Sequence, residues 1–158
     1  MTSREYTDIY LPLSERLYRI AYYILESEDD AKDVVQDLFI KLWNSRDTLD
    51  SVHNPQAYCI TLLRNMAIDR IRKRNIYDGP PPETVCGNDD VHRDIENREK
   101  LKMLKDAIGK LPESQRRLLH MKVFEGLSYD EISRETGMNN LTLRVLLSQA
   151  RRKLKNLL

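Results

Sequence analysis

Residues 127–140, LSYDEISRETGMNN, decide how this chain is read. Ser128 and Glu131 stand three apart, the spacing at which a hydroxyl accepts the third backbone N–H of a helix while the carboxylate returns to the capping residue's own N–H. Leu127 and Ile132 sit where a hydrophobic staple forms, and Gly137 permits the left-handed residue that closes a helix. A turn then hands the chain to a second helix. Two short helices joined in this way make a helix-turn-helix, whose second member lies in the DNA major groove with its first turns on base edges.

Along that second helix Leu143, Leu146 or Leu147, Ala150, Leu154 and Leu157 share one face and are expected to pack inward. Arg144, Ser148, Arg151 and Lys155 form the opposite row, joined by Gln149 and Arg152. Asn139, Asn140 and Thr142 crowd the N-terminus, where free backbone amides favour a phosphate. Arginine bridges guanine bidentately and a side-chain amide can do the same for adenine. A basic amphipathic helix alone is more often a solvated face. The capped pair and the charge together point to DNA.

Outward from this unit, a helix from about Glu113 through Leu119 and Val123 ends near Gly126, and another through Leu101, Leu104 and Ile108 stops before Leu111-Pro112. The stretch from 75 to 98 holds three successive prolines at 80–82, Gly79, Gly87 and six acids against Arg93 and Arg98, with no helical or strand period. It reads as a flexible, acidic linker. Before it, Asn54-Pro55 is an N-cap followed by proline at the first helical position, opening a helix that carries Ala57, Ile60, Leu63, Ala67 and Ile71 inward. That helix ends in Arg70, Arg72, Lys73 and Arg74, a cluster that also suits a helix C-terminus electrostatically. Ser27 opens the helix before it, with Asp30 in the reciprocal capping position and Ala31, Val34 or Val35, Leu38 and Leu42 inward. Leu13, Leu17, Ile20, Ala21 and Ile24 mark the first helix, and Trp43 is expected to close the core.

The fold class is therefore all-α: two small helical domains, over residues 1–74 and 99–158, joined by the linker at 75–98, the second with a helix-turn-helix. The composition agrees, with 5 Gly, 6 Pro and 2 Phe among 158 residues and few alternating Val-rich runs. The net charge of +1 conceals segregation. Basic residues dominate positions 64–74 and 141–158, and acids dominate between them, so two patches can meet a polyanion while the tether does not. No apolar run approaches the length of a membrane span, and the N-terminus lacks signal-peptide order, so the protein is expected to be cytoplasmic, without direct membrane insertion. Cys59 and Cys86 are then reduced thiols, and with His53 or His92 they show no metal-ligand spacing. No glycine loop for phosphate and no nucleophile with an ordered base is present, so neither a catalytic residue nor a cofactor is expected.

The ordered set DDAKDVVQDLFIKLW and NPQAYCITLLRNMAIDRIRKR, then LPESQRRLLHMKVFEGLSYDEIS and SQARRKL, resembles the extracytoplasmic-function sigma factors over nearly the whole chain. MNNLTLRVLLSQARRKL looks like the Bacteroidetes-type members. The resemblance implies an alternative sigma factor that directs the bacterial RNA polymerase core to promoters. The helix matching DAKDVVQDLF would dock on the polymerase's largest subunit through Asp33, Gln36 and Asp37. The loop from Asp47 to Asn54, with Asn54 itself at the DNA, and the helix after it would melt and read the minus-10 element on the single non-template strand.

Asn65, Asp69 and Arg70 match the family's reading helix, and single-strand capture needs a basic groove and a pocket for an extruded base. Arg64, Arg72, Lys73 and Arg74 answer the first need, Asn65 and Tyr58 the second, although a tyrosine at helical spacing is more often core. Arg144, Ser148 and Gln149 would face the duplex minus-35 element. Family members often carry further basic residues where this chain has Leu146 and Gln149, which implies modest minus-35 affinity. The linker resembles a connector threading the polymerase towards the RNA exit path, and an anti-sigma factor is an implied partner. The rival from another class is a helix-turn-helix repressor or activator that binds palindromic duplex without polymerase.

Overall fold

A computed structural model describes residues 1–76 and 88–158, with 88–94 described in backbone alone. All regular structure among the described residues is helical, and the chain divides into two compact units, Met1–Asn97 and Arg98–Leu158. No helix among the described residues is long and apolar enough to cross a membrane.

The first unit holds α1 (Ser3–Tyr10), α2 (Ser14–Leu25), α3 (Glu28–Asn44) and α4 (Pro55–Ile76), with 3-10 turns at Leu11–Leu13 and Arg46–Ser51. Helix α1 precedes the first expected helix and has its own cap: Thr2 Oγ1 accepts from Glu5 N at 3.2 Å, and Thr2 N donates to the Glu5 carboxylate at 2.7 Å. It is there to deliver aromatic rings. Tyr6 stacks on Tyr10 at 5.4 Å, meets Trp43 edge-on at 5.1 Å, and donates its hydroxyl to the Phe39 carbonyl at 2.8 Å. Helices α2, α3 and α4 pack on one another around Leu17, Ile20, Val34, Val35, Leu38, Leu42, Ile60, Leu63 and Ala67. Both valines are buried, because α3 meets α2 on one side and α4 on the other. Each fully buried leucine here contributes about 1.5–3 kcal/mol relative to exposure.

The Ser27 cap differs from the reading in one half. Ser27 Oγ accepts from Asp30 N at 3.3 Å, but the Asp30 carboxylate turns away to Arg70 and Arg74 on α4. Aspartate is a methylene shorter than the glutamate of a full box, and two guanidiniums outbid one amide.

Burial pushes the Cys59 thiol up to about 12 from 9.0 and the Tyr10 hydroxyl to about 12 from 10.0, Cys59 and other neighbours adding to the second. An unfolded chain loses these protons first, so their contribution to stability is complete below about pH 9 and is lost as pH rises towards the folded values. The unfolding free energy of this unit in urea is expected to hold to about pH 9 and then fall, by about 1.4 kcal/mol per pH unit for each group released, and the midpoint with it. A midpoint that is flat to pH 11 would mean that both groups ionise in place.

The second unit takes in the rest of α5 (Asn88–Gly109), then α6 (Glu113–Leu119), a π-helical turn His120–Phe124, α7 (Tyr129–Thr136) and α8 (Asn140–Leu157). Leu111, Leu118, Leu119, Met121, Ile132, Leu143, Leu147 and Ala150 form its core. Leu147 takes the inward position and Leu146 is half-buried, while Leu157, expected inside, is exposed at the end of α8. The expected linker is shorter than read, since α5 already runs from Asn88. Helix-forming Glu96, Arg98, Glu99 and Lys100 carry it into the apolar positions Leu101, Leu104, Ala107 and Ile108, which are buried or half-buried. Residues 77–87 of that linker, with Cys86, lie outside the described residues, as does the His92 side chain.

Candidate nucleic-acid interfaces

In the second unit the helix-turn-helix forms as its local chemistry dictates. Ser128 and Glu131 satisfy each other's backbone N–H at 3.2 Å in both directions, and Gly137 closes α7 at φ 75°. Ser133 Oγ then donates to the Met138 carbonyl at 2.6 Å, fastening the turn. Asn139 caps α8 by accepting from Thr142 N at 2.8 Å, and Asn140 donates to Asp130 at 2.9 Å. Two of the three polar residues expected at DNA are therefore first of all the joint between the helices. Thr142 is exposed.

Opposite the buried Leu143, Leu147 and Ala150, helix α8 exposes Arg144, Ser148, Gln149, Arg151 and Arg152. Gln149 accepts a long contact, 3.5 Å, from the buried Gln115. Arg144 lies with its guanidinium carbon 4.9 Å from the centre of the Tyr129 ring. Tyr129 and the exposed Val145 were not among the expected interface residues, and the ring's position depends on α7 packing against α8, which no local spacing encodes.

In the first unit, Asn54 caps α4 by accepting from Ala57 N at 3.1 Å. Beyond it, Tyr58, Thr61, Asn65, Ile68, Asp69 and Arg72 emerge along one exposed stripe, opposite the buried Ile60, Leu63 and Ala67. Tyr58 is 37% exposed, two turns from Asn65, so it lies on the same outward face and not in the core. Ile68 and Thr61 complete the stripe and were legible from 3.6-residue arithmetic. Arg64 is half-buried, and Lys73 pairs with Asp69 at 3.2 Å.

Arg70 is placed differently from its neighbours. Its guanidinium reaches Asp30 at 3.5 Å, Asp33 at 3.8 Å and Asp37 at 3.4 Å, and Arg74 also pairs with Asp30. Two residues assigned to polymerase, Asp33 and Asp37, thus share one network with a residue assigned to DNA. Gln36 lies exposed between them, and Ile40, one turn on, is 53% exposed. The α3 face is an acidic rim around an apolar residue.

Residues 9–76 match the family model for sigma-70 region 2, and residues 101–154 that for sigma-70 region 4. The chain is 28% identical over 137 residues to the RNA polymerase sigma factor SigV of Bacillus subtilis (strain 168), covering 84% of this chain and 78% of that one. It is 24% identical over 151 residues to the ECF RNA polymerase sigma factor SigK of Mycobacterium sp. (strain JLS), covering 90% and 77%. The sigma factor RpoE of Bartonella quintana, solved with the anti-sigma factor NepR, is similar at 24% identity and a TM-score of 0.52, over 98% of this chain and 96% of that one. That last likeness is one of fold.

Proposed function

Since this chain belongs to the sigma-70 family and is an alternative sigma factor of the extracytoplasmic-function type, we propose how its two units divide promoter recognition. Helix α3 docks the polymerase core through Asp33, Gln36 and Asp37. The α4 stripe takes the single-stranded minus-10 element, with Tyr58 and Asn65 receiving a base and Arg64, Arg72 and Lys73 tracking the phosphates. Helix α8 reads the duplex minus-35 element with Arg144, Ser148 and Gln149, while Asn139, Asn140, Thr142, Arg151 and Arg152 hold its backbone. Asp69 and Arg70 border the minus-10 site. Catalysis belongs to the polymerase.

The observation that carries this reading is the pair of outward polar rows, each set by a buried apolar row on the same helix. The minus-35 contact is modest, because Leu146 is half-buried and Gln149 is neutral. The protein acts in the cytoplasm and is held by an anti-sigma factor, as the relative solved with one suggests. The likeness of MNNLTLRVLLSQARRKL to Bacteroidetes-type members supports a Bacteroidetes-like branch for it. A repressor acting without polymerase would account for the helix-turn-helix but gives region 2 no task.

Run-off transcription with core polymerase from the cognate host and fragmented host DNA tests the proposal. New starts sharing two upstream elements are expected, and Asn65→Ala or Arg144→Ala should each reduce them. No core binding and no new starts would overturn it.

A further inference from the structure

Tyr129 is the first helical residue of α7, and two cations lie against its ring: Lys122 Nζ at 4.3 Å and the Arg144 guanidinium carbon at 4.9 Å from the centroid. The ring is half-buried on the second core, so it is a fixed platform. Lys122 is itself held, donating to the Leu127 carbonyl at 3.4 Å. Arg144 is exposed and pairs with no acid among the described residues, so the ring is the contact that selects its rotamer. A guanidinium held over an aromatic face still has N–H groups free at its edge, and such an edge bridges guanine O6 and N7. An arginine without such a support must order its long side chain when it meets DNA.

We propose that Tyr129 is a positioning residue for promoter recognition, holding Arg144 in the orientation that reads a base. This rests on the assignment of α8 as the minus-35 reader. The ring acts through Arg144, so its removal should blunt discrimination at one base position and leave the rest of the element as before.

Holoenzyme reconstituted with the full chain is assayed on one mapped promoter whose minus-35 element is randomised, and the transcripts are sequenced. Tyr129→Leu keeps the apolar packing and removes the ring face, whereas Tyr129→Phe keeps both. Tyr129→Leu is expected to weaken the base preference that Arg144→Ala abolishes, by about two- to fivefold, while Tyr129→Phe retains it. In the Arg144→Ala background, Tyr129→Leu should add nothing at that position. Lower output with unchanged preference, or Tyr129→Phe failing as Tyr129→Leu does, overturns the proposal while leaving the α8 assignment standing. If Arg144→Ala alters no base preference, the assignment itself fails and the proposal falls with it. A second measurement is independent of DNA and of any misfolded variant: the ring should displace the Arg144 Nε–H proton resonance in the wild type and in Tyr129→Phe. An undisplaced resonance also overturns the proposal.

Discussion

Ile132→Ala is expected to unfold the second unit and leave the first standing. Ile132 is fully buried on α7 and belongs to the same core as Leu143 and Leu147 of α8. Removing three of its carbons costs about 2–5 kcal/mol, since the cavity collapses only partly. A unit of this size has little more than about 3–5 kcal/mol to lose. Helix α7 cannot survive the loss singly, because it spans Tyr129–Thr136 and isolated helices under about 12 residues are marginal in water. The chain offers a clean pair of probes. Trp43 is the one tryptophan in the sequence and sits against the first core, so its fluorescence reports that unit alone, whereas far-UV circular dichroism reports both. In urea, the fluorescence midpoint should stay at its wild-type value while part of the dichroism is lost at much lower denaturant. Coincident shifts in both signals would mean that the two units unfold together.

Much of this architecture was open to local reasoning because its signals act within one helical turn. The Ser128–Glu131 box, the Asn54-Pro55 start and the apolar spacing of α3, α4 and α8 each involve residues no more than four apart. Helix α1 carries the same signal, Thr2 with Glu5, but no apolar period announces it, since that begins only at Leu13; its contribution is aromatic and long-range, through Tyr6 to Phe39 and Trp43. The site was less legible than the fold. Residue type predicts that Arg70, Asp33 and Asp37 are polar and outward, but their mutual pairing depends on how α3 lies against α4. Likewise Asn139 reads as a DNA contact on type, and in the structure it first satisfies a helix N-terminus. The Arg144 platform needed the packing of α7 on α8, and the π turn at His120–Phe124 has no spacing rule that would have exposed it.

Reversing both charges in Asp33→Lys/Asp37→Lys is expected to weaken binding to the polymerase core by roughly 30-fold or more, the equivalent of about 2 kcal/mol for charges lost from a docked pair. The change sets two lysines beside Arg70, yet the fold should tolerate it. The two aspartate side chains are 61% and 55% exposed, where a pair contributes only about 0–1 kcal/mol. Trp43 fluorescence in urea should confirm that small cost, so that lost affinity is read as a lost interface. Arg70→Ala is the informative partner. It frees the same carboxylates from their guanidinium, so a polymerase surface that seeks them should bind at least as tightly as before. Its minus-10 use should fall only if Arg70 leaves the network to meet the strand. Core affinity therefore falls in the first variant and does not fall in the second if α3 is the docking face. Equal affinity for the wild type and Asp33→Lys/Asp37→Lys would reduce the acidic row to a solvated surface whose one partner is α4.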